Sequence, residues 1–92
     1  MKMRKKIVAG NWKMNLNKEE AYLLFNSLES MGFPNDVIVI IAPPSIYLDS
    51  FSRASNINLS SQDVSGNENG AFTGEFSSEM LSSLDIKYSI VG

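Results

Sequence analysis

The sequence predicts an α/β fold built on parallel strands, and three observations carry that expectation. Apolar and amphipathic stretches alternate as strand, helix, strand, helix, strand, long loop, helix, strand. Such alternation favours parallel strands joined by right-handed crossovers. The second apolar stretch, Val37 to Ala42, has no polar position at all. That suits a strand covered on both faces rather than one with a wet side. Polar residues follow directly on the strand ends, where α/β folds place ligand chemistry.

The elements follow in order. Lys6 to Gly10 reads as the first strand, leading into Asn11, Trp12 and Lys13. Asn17 can cap the next helix, with Glu20 three residues on completing a capping-box pattern in which Asn replaces Ser or Thr. Ala21, Leu24, Phe25, Leu28 and Met31 recur at helical spacing and predict one buried stripe. Gly32 fits a left-handed residue after the helix, and Pro34 prevents its resumption. Pro43 and Pro44 end the second strand. Ser45 to Ala54 reads as a shorter helix with Tyr47, Leu48 and Phe51 inward, and Ile57 to Gln62 as the third strand. Asp63 to Phe76 holds Gly66, Gly70 and Gly74 and little periodicity, so it reads as a long loop of the kind that is usually functional. Ser77 to Leu84 predicts a helix burying Met80, Leu81 and Leu84, and Tyr88 to Val91 a fourth strand.

Composition bounds the function. Ninety-two residues suggest one domain or less, and 43% hydrophobic with 20% charged residues is ordinary for a globular chain. The apolar run Val37 to Ala42 is far too short to span a bilayer, so no membrane partner is expected. The basic run Met1 to Lys6 imitates a signal peptide, but Ile7 to Gly10 is too short for its apolar core and Asn11 ends it. A cytoplasmic protein is the expectation. A net charge of −2 gives no reason to expect nucleic acid, and Lys2 to Lys6 reads as a solvated strand entry. The chain has no cysteine and no histidine, so disulfides and thiol chemistry are excluded and no metal site is expected. Asn58-Leu59-Ser60 matches a glycosylation acceptor and is read as chance.

Lys13 is the best candidate for chemistry, because a fixed ammonium past a strand end can hold a phosphate or stabilise charge on a substrate oxygen. A lone lysine there is more often merely solvated, so its context decides. Trp12 reads as a packing residue. The glycines of the long loop match neither the P-loop nor the dinucleotide pattern, and Asn69-Gly70 marks a turn.

Three segments lie in the order found in one family. Val8-Ala9-Gly10-Asn11-Trp12-Lys13-Met14-Asn15, Ala42-Pro43-Pro44-Ser45-Ile46-Tyr47-Leu48 and Gly70-Ala71-Phe72-Thr73-Gly74-Glu75 resemble segments of the triosephosphate isomerases. The resemblance runs from Lys5 to Gly92. Pattern alone leaves an open doubly wound sheet and part of a (β/α)8 barrel both open; the resemblance implies the barrel. Residues 1–92 would then be its N-terminal part, with the first four parallel strands and three helices. Four such strands leave two unpaired edges and an uncovered inner face, so the isolated chain is expected to be marginal or self-associating.

The resemblance further implies an aldose–ketose isomerase of glycolysis and gluconeogenesis. It would interconvert dihydroxyacetone phosphate and glyceraldehyde 3-phosphate through an enediolate, without a cofactor. Asn11 and Lys13 would touch the triose phosphate, with Lys13 the catalytic cation. The loop Asp63 to Phe76 would insert into a second subunit of a homodimer, with Met14, Phe72, Thr73 and Glu75 at the interface. Thr73 would approach Asn11 and Lys13 of that subunit. Glu75 would form a structural ion pair with a basic residue beyond this chain's end, and Gln62 would lie near the site mouth or interface. Ser61 and Asp63 depart from the Ala and Asn often found there. The family is itself the standard worked case of a glutamate base, a neutral histidine electrophile and a closing loop. None of the three is found in these residues, and Glu68, Glu75 and Glu79 do not match the base's motif, so the chain alone is expected to be inactive. Two other readings stand beside this one: a half-barrel that acts only in assembly, and a small α/β module binding a phosphorylated ligand at Lys13.

Overall fold

A computed structural model describes residues 4–54 and 56–91. The start of the basic run, residues 1–3, and Gly92, with which the resemblance ends, lie outside the described residues.

Four parallel strands form one sheet in the order β1-β2-β3-β4, namely β1 (Lys6–Asn11), β2 (Val37–Ala42), β3 (Asn58–Ser61) and β4 (Tyr88–Ser89). Sheet order equals chain order. A doubly wound sheet reverses its order at a switch point, whereas this one winds steadily in one direction, as a barrel does. The structure is a partial (β/α) barrel. Between the strands lie α1 (Lys18–Ser30), a 3₁₀ turn (Ser45–Tyr47) running into α2 (Leu48–Phe51), and α3 (Ser78–Ser83).

The strand bounds differ from the expected ones for a common reason: pairing decides where a strand ends. β1 extends to Asn11 because Asn11 pairs with Ala42 in the parallel ladder. β3 contracts to Asn58–Ser61 and β4 to Tyr88–Ser89, because only Ser60↔Tyr88 and Ser61↔Ser89 pair between them.

Helix α1 starts as its cap residues dictate. The Asn17 side chain accepts from the Glu20 N–H at 3.0 Å, and the Glu20 carboxylate accepts from the Asn17 N–H at 3.1 Å. Asn17→Ala is expected to cost about 1 kcal/mol, read as a lower denaturant midpoint with an unchanged slope. The helix end and the stripe are corrected. Gly32 is not left-handed; Met31 turns extended (φ −74°, ψ 140°) and its N–H bonds to the Leu28 carbonyl. Ala21 is buried, and Tyr22, Phe25 and Leu28 are half-buried, whereas Leu24 and Met31 are exposed. On a 3.6-residue wheel Leu24 and Met31 fall to one side of the Ala21–Phe25–Leu28 line and Tyr22 to the other. The helix is rolled toward Tyr22, whose ring meets Phe51.

The core gathers around Phe51, which is fully buried. Tyr47 and Leu48 lie inward with it, as expected, with Ile41, Ile57, Leu59, Leu81 and Ile86 around them. Met80 is 55% exposed rather than buried. Leu81 takes the inward place on the short α3, and Met80 is left lining an open groove with Phe76 and Leu84.

β1 is an edge strand, and all six of its residues are exposed. Ile7 and Val8, which point to opposite faces, are 62% and 58% exposed. An unpaired, apolar edge is a template for another strand. The isolated chain is therefore expected to sediment faster as its concentration rises, and Val8→Lys should lower that association. A monomer with a sharp, concentration-independent thermal transition would contradict this.

Candidate functional site

The site is built from the C-terminal ends of β1, β2 and β3. Asn11 closes the β1 ladder, so its side chain stands at the strand end. There its Oδ1 accepts the Lys13 N–H at 2.8 Å. This short-range bond curls the backbone, and Lys13 takes φ 55°, a left-handed conformation that non-glycine residues rarely adopt. Leu16, three residues on, is left-handed as well, at φ 78°. Each costs on the order of 1–3 kcal/mol and persists only where its surroundings over-determine it.

Those surroundings are visible. Trp12 donates its backbone N–H to the Ala42 carbonyl at 3.0 Å. Its ring packs edge-on to Phe51, with centroids 6.0 Å apart, so the expected packing role holds. The Asn15 amide donates to the Trp12 carbonyl at 2.9 Å. The Tyr47 hydroxyl donates to the Leu16 carbonyl at 3.0 Å. Gln62 donates from Nε2 to the Lys13 carbonyl at 2.8 Å and to the Ala42 carbonyl at 2.9 Å. The loop after β1 is thus tied to β2, to the 3₁₀ turn and to the residue after β3.

The ties of Asn15, Tyr47 and Gln62 are the part that sequence reading missed. Gln62 carried a signal in its place at the end of the third predicted strand, and the observed register shows what that place does. Asn11 pairs with Ala42, and Ile41 with Leu59. Continuing that register by two residues puts Lys13 and Gln62 at one level.

A concavity of about 230 Å³ opens beside Asn11, lined by Gly10, Asn11, Ile40, Ala42, Ser60 and Ser89, among others. That is below the ~300–1,000 Å³ of a complete ligand pocket. Ser61, one of the departures from the family pattern, is fully buried, and its hydroxyl bonds to Ser89 Oγ at 2.6 Å. Among the described residues no group of three or more His, Cys, Asp or Glu side chains gathers in metal-binding geometry.

The candidate residues fall into two groups. Asn11 and Lys13 are brought together, and Met14 follows them at 96% exposed. Phe72, Thr73 and Glu75 share a separate exposed turn, in which the Glu75 N–H donates to the Phe72 carbonyl at 3.2 Å. The Phe72 ring folds back over Gly70: a Cβ at Gly70 (φ 137°) would meet that ring at 2.8 Å. The neck of the loop is closed by the Ser65 N–H donating to the Phe76 carbonyl at 2.9 Å. Among the described residues no hydrogen bond joins the turn to Asn11 or Lys13 of the same chain.

Comparison with known proteins places this geometry in a family context. The family model described as triosephosphate isomerase matches residues 6–92. A triosephosphate isomerase of Cytophaga hutchinsonii is 42% identical over 95 residues, covering 98% of this chain and 38% of the relative. One from Flavobacterium psychrophilum is 44% identical over 94 residues, and one from Alkaliphilus metalliredigens 40% over 93, with the same coverage. The chain spans 38% of the length of these curated relatives. No helix among the described residues is long and apolar enough to cross a membrane.

Proposed function

This chain belongs to the triosephosphate isomerase family, and from that premise we propose that it furnishes the strand-one part of an isomerase active site. The reaction interconverts dihydroxyacetone phosphate and D-glyceraldehyde 3-phosphate by proton transfer through an enediolate, without a cofactor, in cytoplasmic glycolysis and gluconeogenesis. Asn11 and Lys13 contact the triose phosphate. The Lys13 ammonium neutralises the phosphate and stabilises negative charge developing on the enediolate oxygen. Residues 1–92 act as the N-terminal part of the barrel. Met14, Phe72, Thr73 and Glu75 belong to the interface of a homodimer, through the loop Asp63 to Phe76.

One observation carries this reading: Lys13 is held left-handed at the end of β1, by one bond from Asn11 within the loop and one from Gln62 after β3. The bracing acts on the Lys13 backbone, and so sets where its side chain leaves the loop.

The 92 residues by themselves are proposed to be inactive. They contain no histidine, and the family, which is the worked case of this chemistry, pairs its glutamate base with a neutral histidine. Losing a proton-transfer group removes a factor of ~10²–10⁴. A second reading, that the chain acts only in assembly, is favoured by the exposed Ile7 and Val8 of β1.

One assay checks the inactivity and a second decides between the readings. The purified chain, made in a host lacking its own isomerase, is expected to show no turnover above buffer. Residues 6–92 grafted in place of the matching segment of the Cytophaga hutchinsonii enzyme are expected to give an active isomerase. A folded graft without turnover would favour assembly alone.

A further inference from the structure

We propose that Gln62 is a positioning residue, whose side-chain amide holds the backbone of Lys13 in its left-handed conformation and so fixes the lysine at the strand ends. The amide carries two hydrogens, and both are committed: one to the Lys13 carbonyl at 2.8 Å, the other to the Ala42 carbonyl at 2.9 Å. Ala42 in turn receives the Trp12 N–H. One side chain therefore ties the residue after β3 to the end of β2 and to the strained residue after β1. Lys13 and Gln62 stand at one level of the extended register, so the glutamine reaches across rather than along the sheet.

The chemistry explains why this position carries an amide. Both targets are carbonyl oxygens, so the group between them must donate twice and accept from neither. A hydroxyl donates once. A carboxylate donates nothing and sets its own lone pairs against both carbonyls. An ammonium would bring a second cation beside Lys13. Asn11 stabilises the same turn from inside the loop, through the Lys13 N–H. Gln62 grips the opposite end of that residue, its carbonyl. Held at both ends, Lys13 cannot relax to a right-handed conformation without breaking a bond.

The catalytic meaning of this inference rests on reading Lys13 as a phosphate contact; its conformational content does not. The test uses the labelled 92-residue chain and two variants, Gln62→Met and Gln62→Glu. The Lys13 Cα and Cβ shifts and its amide–Hα coupling report the sign of φ. Signals of residues packed on Phe51 report the core. Inorganic phosphate is the ligand probe, followed at the Lys13 amide.

In Gln62→Met, Lys13 is expected to leave the left-handed region and phosphate to bind about tenfold more weakly, while the core signals stay in place. Gln62→Glu should match it at neutral pH and differ on acidification. The facing carbonyls repel the charged carboxylate but can accept from the protonated one. Once protonated, it donates one bond and recovers part of the parent's Lys13 signature. The parent and Gln62→Met should show no such step.

Lys13 keeping its left-handed signature in both variants would overturn the proposal. So would collapse of the core signals in both, since Gln62 would then serve the fold as a whole. A parent whose Lys13 does not respond to phosphate overturns the phosphate reading instead, and the sign of φ in the variants still decides for or against Gln62.

Discussion

Phe51→Ala is expected to unfold this chain. Truncating a buried phenylalanine costs about 3–5 kcal/mol, through lost burial and the cavity left behind. Phe51 is fully buried and serves as a hub for four rings. Phe25 stacks on it at 4.1 Å, Tyr22 meets it edge-on at 5.3 Å, and Trp12 and Tyr47 each lie 6.0 Å away. Such pairs add about 0.5–1.5 kcal/mol each beyond area. A complete domain has a margin of about 5–15 kcal/mol. A sheet with an uncovered β1 sits at the low end of that range, so this single substitution consumes it.

The expected readout is loss of near-ultraviolet circular dichroism and of amide dispersion. Phe51→Leu, which keeps apolar volume but loses the ring contacts, should fall between parent and alanine. Ile46→Ala, at a residue 77% exposed, should stay within about 0.5 kcal/mol of the parent. The consequence reaches the site. Trp12 lies between Asn11 and Lys13 in the chain and rests on Phe51, so the ring hub that stabilises the core also anchors the loop. A Phe51→Ala chain that keeps a sharp, cooperative transition would show that the hub is not where stability resides.

Much of this architecture was legible because local chemistry and tertiary packing agree. The Asn17–Glu20 cap, the all-apolar β2 and the inward Tyr47, Leu48 and Phe51 are each dictated by neighbours in sequence. Most of what sequence reading missed depends on distant neighbours. Which face α1 turns inward is chosen by Phe51, so Tyr22 is covered and Leu24 is not. Met80 has the right spacing for a core residue, but α3 is too short to cover it. β4 has an apolar continuation in Ile90 and Val91, yet β3 offers it only Ser60 and Ser61 as ladder partners. At the site, Asn11 and Lys13 stood out because they follow a strand. The second donations that hold the loop, from Gln62 and Tyr47, cross 49 and 31 residues of chain and surface only once the register is known.

Lys13→Ala, made in the grafted isomerase, is the second large effect expected. The lysine supplies a full positive charge at the strand ends, where the proposed reaction gathers negative charge on phosphate and enediolate. Removing one preorganised donor from such a place lowers turnover by about 10²–10³-fold. Lys13→Arg keeps the charge, but a planar guanidinium does not replace a compact ammonium at a fixed site, so it should recover only part of the loss. Lys13 is exposed and its side chain is not needed by the core. Both variants should therefore melt close to the parent, which separates chemistry from folding.

The measurement that tests the central claim most directly is kcat/KM of the grafted enzyme, parent against Lys13→Ala, on dihydroxyacetone phosphate. An active parent and a folded variant slowed by about 10²–10³-fold is the result this account predicts. An active parent whose Lys13→Ala variant turns over at the same rate would contradict it, and the bracing around Lys13 would then belong to the fold and not to the reaction.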